Sequence, residues 1–273
     1  MVVRAGALTG LMNQPTSQII DASLKFDQSK KTYLKRTPGS AGNRRTWTYS
    51  AWIKRGDFPS AERGLFSTFG SAHPTTALKF GSSHVLEFLD YQGGYICQKI
   101  TNQVFRDTGW YHIVIVIDTT LSTAEDRYKL YVNGERVTSF GTSTNISTQN
   151  QELDWNSATE HNLFMHGDET TPYDGMGAQT YFIDGLALDA SYFGFTDPLT
   201  NTWKPKKYTG DFNGPADTKS AAGTFTATGN QVGGPIANAY DGNIGEQDGS
   251  ASGISVWGRS GGTATQSGLS IPV

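Results

Sequence analysis

The sequence predicts an all-β protein, a two-layer antiparallel β-sandwich with an extended N-terminal arm and a Gly/Ser/Thr-rich C-terminal extension. Apolar and polar residues alternate at period two along much of the chain, and helical periodicity is hard to find. The 273 residues include 32 glycines, and aromatic residues make up 12%. Many turns combined with many large apolar side chains are typical of a β-sandwich or barrel. Short strands at spacings of roughly 8–12 residues, without helices between them, predict two stacked antiparallel sheets.

Two stretches show how the predicted strands face the core. Residues 46–54 alternate in polarity, and one face is wholly apolar because it collects Trp47, Tyr49, Ala51 and Ile53. Residues 109–118 are apolar on both faces except for His112. Such a run is typical of a central strand that is covered on both sides. A histidine on a buried strand is expected to be structural, with its hydrogen bonds satisfied, rather than a ligand.

Further stretches predict strands together with their turns. Two β-rich runs flank Asn133-Gly134. This pair favours a type I′ two-residue turn because both central positions need positive φ, so a hairpin is predicted here. Residues 76–101 read as two or three strands, broken at Gly81-Ser82 and Gly93-Gly94. Residues 179–191 are expected to form another buried strand.

Composition divides the chain into three parts. Residues 1–23 lie outside the strand pattern and are interpreted as an arm that needs a partner to become ordered. Residues 24–212 form the predicted sandwich. Near residue 210 the composition shifts toward Gly, Ser, Thr, Ala and Asn. Residues 213–273 are therefore interpreted as a flexible extension or as the start of a second β module.

Charge, hydropathy and cysteine content exclude several classes of protein. The formal net charge is −3, so no overall field attracts the chain to nucleic acid. The longest apolar run, residues 113–117, is far shorter than the roughly 20 residues that span a bilayer, so membrane insertion is not expected. The N-terminus lacks the continuous apolar centre of a signal peptide, so export by that route is not expected. A single cysteine, Cys97, excludes an internal disulfide framework.

Several segments resemble the laminin G-like, concanavalin A-like jelly roll. In that family a W-x-H-I/V strand precedes a K-L-Y-V-N-G hairpin, and an F-x-G strand closes the sandwich. Here FIDG stands at the F-x-G place, which leaves the expected fold unchanged. The resemblance covers roughly residues 23–214. Its segments, in the family's order, are SLKFDQSKKTYLKRTP (23–38), WTYSAWIKRG (47–56), WYHIVIVIDTT (110–120), YKLYVNGERVTSF (128–140) and YFIDGLALDASYF (181–193).

A narrower resemblance concerns residues 193–214, FGFTDPLTNTWKPKKYTGDFNG. This run is similar to the end of sandwich modules in structural and tail proteins of marine tailed phages of the cyanophage-like kind. The resemblance implies a virion location, in a tail fibre, knob or other surface appendage. It also implies a homo-oligomer, with a trimer as the expected order, attached to other virion proteins through residues 1–23. In that arm, exposed apolar groups are the expected anchors, namely Leu8, Leu11 and Met12.

The stretch QELDWNSATEH, residues 151–161, bears on catalysis. Glucanases of the concanavalin-like class carry their catalytic carboxylates on one strand, in an E-x-D-x-(x)-E pattern. Glu152 and Asp154 fit the first two places, but Asn156 or Ser157 stands where the third carboxylate is needed, and Asn156 is the one on the same face. An amide cannot donate the catalytic proton in this role. The stretch is therefore interpreted as a polar edge or loop, and no catalytic residue is assigned.

Acidic and histidine side chains raise the question of a metal site. His161, His166 and Asp168 have no established ligand spacing, so exposed loop groups are the preferred interpretation. Laminin G-like domains often hold calcium at the rim of the sandwich, and the resemblance therefore points to acidic loop groups. No cofactor is predicted, and calcium is the alternative left open. Its candidate ligands in these loops are Asp168 and Asp174. Asp241 and Asn243 are added because the glycine-rich stretch 239–249 resembles the calcium-binding loop of discoidin-like sugar-binding modules.

The predicted function is that of a non-enzymatic virion structural protein, which assembles through its arm and displays the sandwich. The alternative is a carbohydrate-binding adhesin module that recognises host surface glycan. Aromatic rings near predicted turns would then stack on sugar faces. The candidates are Tyr91, Tyr95, Trp155 and Tyr173. A glucanase-like hydrolase is less favoured because it needs a third carboxylate.

Overall fold

The structure, a computed structural model, describes residues 20, 22–69, 76–167 and 169–210, and the backbone of 226–228. These residues contain no α-helix, only three short 3-10 turns, Gln28–Lys30, Ala124–Asp126 and Ala190–Tyr192. Sixteen strands follow one another: β1 (Leu24–Phe26), β2 (Tyr33–Arg36), β3 (Thr46–Arg55), β4 (Arg63–Phe69), β5 (Ala77–Phe80), β6 (Val85–Tyr91), β7 (Tyr95–Val104), β8 (Trp110–Asp118), β9 (Tyr128–Val132), β10 (Glu135–Val137), β11 (Phe140–Thr144), β12 (Glu160–Leu163), β13 (Gly175–Asp184), β14 (Gly194–Thr196), β15 (Trp203–Pro205) and β16 (Thr226–Thr228).

The strands form two antiparallel sheets that pack as a sandwich. The six-stranded sheet has the order β1-β13-β3-β8-β9-β10, and the eight-stranded sheet has the order β11-β7-β6-β5-β4-β12-β2-β16. β14 and β15 form a separate two-stranded ribbon. The prediction of an all-β, two-layer antiparallel sandwich is confirmed. Within the described part of the chain, no helix has the length and hydropathy needed to cross a membrane.

The space between the two sheets is filled mainly by aromatic rings. The ring of Trp47 on β3 stacks on that of Phe182 on β13, with centroids 5.2 Å apart. Tyr49 stacks on Phe66 of β4 at 4.9 Å. All four side chains are buried, and burying an apolar side chain of this size contributes about 1.5–3 kcal/mol. The apolar face predicted for residues 46–54 therefore lines the core.

The outer face of the six-stranded sheet is covered by the chain that follows β13. We call residues 186–208 the outer cover. Val114 and Val116 of β8 belong to a second apolar cluster, which the outer cover completes with Leu188, Ala190, Phe193 and Tyr208. β8 lies between β3 and β9 in the sheet. The prediction that residues 109–118 form a central strand, covered on both sides, is confirmed.

His112 joins the outer cover to the sheet. Its ring stacks on Trp52, with centroids 4.9 Å apart, and on Trp203 of the outer cover at 5.9 Å. Trp203 Nε1 donates a hydrogen bond to His112 Nδ1 at 2.9 Å, so the imidazole proton lies on Nε2 and is donated to Ser50 Oγ at 2.9 Å. Complete burial lowers the pKa of His112 to about 3, and the ring is neutral at pH 7. This is the structural histidine that the sequence predicts.

The turn between β9 and β10 has the predicted geometry. Asn133 and Gly134 have φ values of 49° and 84°, and Glu135 pairs with Val132 in the antiparallel register. A Cβ atom added at Gly134 would lie 2.4 Å from the ring of Trp203. Glycine is therefore needed both for the positive φ and for the close approach of the outer cover.

Of the strands predicted at residues 76–101 and at 179–191, the first set is confirmed and the second has different bounds. Residues 76–101 contain β5, β6 and most of β7, and the strands break at the predicted glycine pairs. The strand predicted at 179–191 is wrong in its extent, because β13 begins at Gly175 and ends at Asp184. Gly185, with φ of 76°, follows the strand and begins the passage to the outer face. The apolar residues after it pack in the outer cover and take no part in the sheet.

Strand β16 lies beyond residue 212, where the predicted sandwich ends. Its backbone pairs with β2 through the register Thr226 to Lys35 and Thr228 to Tyr33, so it forms one edge of the eight-stranded sheet. This short part of the predicted extension is therefore a strand of the same sheet as β2. The arm anchors Leu8, Leu11 and Met12 lie outside the described residues.

Candidate functional site

The stretch that resembles a glucanase motif is a loop up to residue 159, as the sequence predicts, and β12 begins at Glu160. Two arginines hold its carboxylates. Arg44 lies 3.3 Å from Glu152 and 3.5 Å from Asp154, and Arg45 lies 3.0 Å from Glu152. Both carboxylates are thus engaged in ion pairs at the surface of the sandwich.

The third place of the motif is part of a buried polar network. Asn156 Nδ2 donates to Asp184 Oδ1 at 2.7 Å, and its backbone N–H donates to His161 Nε2 at 3.1 Å. His161 Nδ1 donates to the carbonyl of Thr159 at 2.8 Å. Both ring nitrogens are therefore committed to the backbone, and burial lowers the pKa of His161 to about 4. This network fixes the loop, and it leaves His161 no nitrogen for a metal.

Asp90, on β6, adjoins the same loop, and no motif in the sequence indicates this position. It is fully buried, and its carboxylate links two loops. Oδ2 accepts from the backbone N–H of Asp154 at 2.9 Å, and Oδ1 accepts from Gln92 Nε2 at 2.9 Å. Gln92 Nε2 also donates to the carbonyl of Glu152 at 2.9 Å. Burial raises the pKa of Asp90 to about 7.

The hairpin between β6 and β7 presents a pair of tyrosine rings next to the loop of residues 151–159. Tyr95 is 48% exposed and Tyr91 is half-buried. Their rings meet edge to face, with centroids 5.2 Å apart and an interplanar angle of 77°. We call the surface formed by Tyr91, Gln92, Tyr95, Arg45 and Glu152 the rim. An exposed ring is combined there with an amide, a guanidinium and a carboxylate.

The other two aromatic candidates are corrected by the structure. Trp155 and Tyr173 are completely buried, so neither presents a ring face to solvent. Trp155 packs against Phe66 and Phe88, with ring centroids 4.7 and 5.4 Å away. Its loop folds inward at this position, because the ring fills the space between the two sheets.

Comparison with known proteins identifies the family. A family profile described as the concanavalin A-like lectin/glucanases superfamily, of the laminin G type, matches residues 28–176, more than half of the chain. The chain belongs to this superfamily. The sandwich is thus a lectin-like, concanavalin A-like domain. A comparison with curated protein sequences found no match.

Solved structures similar to this concanavalin A-like domain share little sequence with it. A heptameric pentraxin of Limulus polyphemus is 15% identical, with a TM-score of 0.44, over 61% of this chain and 76% of that chain. A candidate carbohydrate-binding protein of Bacteroides ovatus is 15% identical, with a TM-score of 0.47, over 79% of this chain and 61% of that chain. A sialidase of Trypanosoma rangeli is 13% identical, with a TM-score of 0.39, over 54% of this chain but 22% of that chain. At these values the similarities support no assignment of function.

The calcium candidates of the concanavalin A-like domain are only partly within the described residues. Asp174 is described, and its Oδ2 accepts from the backbone N–H of Gln28 at 3.3 Å. Asp168, Asp241 and Asn243 lie outside the described residues. Within those residues, no group of three or more His, Cys, Asp or Glu side chains converges in a way that could hold a metal ion. Calcium binding stays a prediction.

Proposed function

We propose that this concanavalin A-like domain is a non-catalytic glycan-binding module carried on a virion surface appendage. The combination of an exposed ring with fixed polar groups at the rim supports glycan binding. Tyr95 offers an exposed ring, and Tyr91 holds it by an edge-to-face contact. Aromatic rings pack against the C–H face of a sugar, and polar groups around them hydrogen-bond to its hydroxyls.

The polar groups of the rim are held in place before any ligand binds. Gln92 is fixed by Asp90 on one side and by the carbonyl of Glu152 on the other. The carboxylate of Glu152 is held by Arg44 and Arg45. A site that is already ordered loses less conformational entropy on binding, so a modest number of contacts suffices.

The absence of catalysis is inferred from the same loop. Retaining and inverting glycosidases use two carboxyl groups, one on each side of the scissile bond. Glu152 and Asp154 share Arg44 as a partner, and Asn156 is buried in the network with Asp184. Asp90 has a raised pKa, which suits a general acid, but it is fully buried and both its oxygens accept hydrogen bonds. Substrate would have no access to it.

Glycan binding is tested by replacing Tyr95 with alanine. A glycan array first identifies a ligand, and calorimetric titration then measures its affinity for each variant. Tyr95→Ala is expected to weaken binding by about tenfold or more. This corresponds to roughly 1.4 kcal/mol, the free energy expected from one lost contact between the ring and a sugar. Tyr95→Phe keeps the ring and is expected to bind within a few-fold of the original chain.

Leu199→Ala is the matched control, because Leu199 is highly exposed and lies outside the rim. An array without any bound glycan, or a Tyr95→Ala variant of unchanged affinity, would remove the rim as a binding site. Release of reducing sugar from laminarin or lichenan, lost on Glu152→Gln, would contradict a non-catalytic role.

The virion location is inferred from the likeness of residues 193–214 to tail proteins of marine phages. In the structure these residues supply the β14 and β15 ribbon and part of the outer cover. We expect an antibody against the purified domain to decorate a tail or surface appendage in electron micrographs of particles. The purified chain is expected to be a homo-oligomer, with a trimer as the preferred order, by light scattering. Particles that carry no label would contradict the virion location, and a monomer would contradict self-assembly.

A further inference from the structure

Lys99, on β7, is one of two buried lysines among the described residues. The other is Lys79, whose ammonium pairs with the carboxylates of Glu62 and Glu87. In the described part of the chain, Lys99 has no carboxylate within ion-pair distance, and its Nζ donates to two neutral oxygens instead. A buried charge without an opposite charge is costly. The neighbourhood of Lys99 therefore favours a neutral amine.

The register of the sheet brings the side-chain amide of Asn145 to this amine. Lys99 and Ser143 are partners in the pairing of β7 with β11, and Asn145 follows two positions later. Lys99 Nζ donates to Ser143 Oγ at 2.7 Å and to Asn145 Oδ1. The carbonyl carbon of the amide is bonded to this second acceptor. The amine is thus held beside the carbon that a nucleophile attacks.

A carboxylate contacts the nitrogen of the same amide. Glu125 belongs to the 3-10 turn Ala124–Asp126, and its Oε1 accepts from Asn145 Nδ2 at 3.2 Å. This nitrogen is the leaving atom when an amine attacks the amide. The charge of Glu125 also acts on Lys99. A carboxylate that interacts with both groups can take a proton from one nitrogen and give it to the other.

Aromatic rings shield the amine from water. Lys99 Nζ lies 5.9 Å from the ring centroid of Tyr128 and 5.4 Å from that of Phe140. Burial lowers the pKa of Lys99, although the charge of Glu125 opposes part of this shift. The neutral amine, which is the nucleophilic form, is therefore more populated than in an exposed lysine. Glu125 is exposed, so a small leaving group can escape to solvent on its side.

We propose that Lys99 and Asn145 join in an intramolecular isopeptide bond, with Glu125 as the catalytic residue. The lone pair of the neutral Lys99 Nζ attacks Asn145 Cγ, and the bond between Cγ and Nδ2 breaks. Glu125 takes one proton from the attacking nitrogen and passes it to Nδ2, which leaves as ammonia. A new amide then joins Nζ to Cγ, and Glu125 returns to its original state. One amide is exchanged for another, so nothing is oxidised or reduced.

The cross-link would fasten the edge of the eight-stranded sheet. β11 is the outermost strand of this sheet and pairs with β7. Lys99 and Asn145 are 46 positions apart, and closing a loop of this length removes entropy from the unfolded chain. Arg127 Nη1 donates to the carbonyls of Ile146 and Ser147 at 2.7 and 2.8 Å. The segment that carries Asn145 is therefore held in place before the reaction.

Intact-mass spectrometry of the purified full chain, after prolonged incubation, tests the proposal. The chain is expected to be lighter than its sequence by the mass of one ammonia molecule. A protease digest is expected to contain a branched peptide in which the side chains of Lys99 and Asn145 are joined. Lys99→Arg, Asn145→Ala and Glu125→Gln are each expected to keep the full mass. Lys79→Arg is the matched control, because it replaces the other buried lysine, and it should still lose ammonia.

Thermal unfolding gives a second readout. Lys99→Arg and Glu125→Gln are each expected to lower the melting temperature by about 10 °C, because each removes the cross-link. Glu125 is exposed, so its replacement alone should change the stability little. A large fall in Glu125→Gln would therefore support the lost bond as its cause.

The position of the branch decides between two sources of ammonia. Cyclisation of an asparagine such as Asn133, which precedes Gly134, also releases ammonia but joins no second residue. A chain of full mass, a digest without the branched peptide, or an ammonia loss that persists in Lys99→Arg would each overturn the cross-link. A Glu125→Gln chain that still forms the bond would overturn the catalytic role of Glu125.

Discussion

Replacing Trp155 with alanine is expected to lower the free energy of unfolding by about 3–5 kcal/mol, the cost typical of a large aromatic removed from a core. Its side chain is completely buried between the sheets. Its ring centroid lies 4.7 Å from Phe66, 5.4 Å from Phe88 and 5.8 Å from Trp47. Alanine would leave a cavity that these rings cannot fill. Urea denaturation, followed by tryptophan fluorescence and circular dichroism, measures the change.

Tyr95→Ala is the matched control for this measurement. It also removes an aromatic ring, but one that is half exposed, so its effect on stability is expected to stay within about 0.5 kcal/mol. The two variants separate packing from binding. A Trp155→Ala variant that kept its stability but lost affinity for glycan would show that the ring lies at a binding surface, against the structure.

His112 is expected to make the protein less stable as the pH falls from about 6.5 toward 3. Burial lowers its folded-state pKa to about 3 from 6.5. Between these values the unfolded state binds a proton that the folded state does not. The free energy of unfolding therefore falls by about 1.4 kcal/mol per pH unit from this group. Urea denaturations at pH 4, 5, 6 and 7 give the free energy of unfolding as a function of pH. His112→Gln is expected to reduce the slope of this dependence by about 1.4 kcal/mol per pH unit.

Asp90 provides a control of opposite sign. Its folded-state pKa is raised to about 7 from 3.8, so the folded state holds a proton that the unfolded state has lost between these values. This group makes the protein less stable as the pH rises through that range. Asp90→Asn should therefore steepen the loss of stability in acid, whereas His112→Gln should reduce it. If the free energy of unfolding depended on pH in the same way for both variants and the original chain, the shifted pKa values of Asp90 and His112 would be contradicted.

Local patterns sufficed for much of the fold. The positive φ values at Asn133 and Gly134 follow from the chemistry of two residues, so the hairpin could be predicted from the sequence alone. The burial of β8 on both faces follows from its continuous apolar run. The end of β13 could not be predicted in this way. Leu188 and Ala190 are apolar because they complete the outer cluster, and their pattern does not distinguish this packing from a strand.

The candidate site was only half predictable, for a related reason. Tyr91 and Tyr95 lie on either side of a tight turn, where exposure is the usual outcome. Trp155 also lies near turns, but its exposure is decided by the distant rings that surround it. Asp90 reaches the backbone of Asp154, 64 positions further along the chain. No spacing in the sequence indicates a contact of that range.

The pairing of β16 with β2 has a practical consequence for anyone who shortens this protein. A chain cut at residue 212 would leave the backbone N–H and C=O groups on that side of Tyr33–Arg36 without the neighbouring strand. An unpaired strand edge of this kind can pair with a strand from another molecule, and it promotes aggregation. A shortened version that keeps residue 228 therefore preserves the pairing of β2 with a strand on each side.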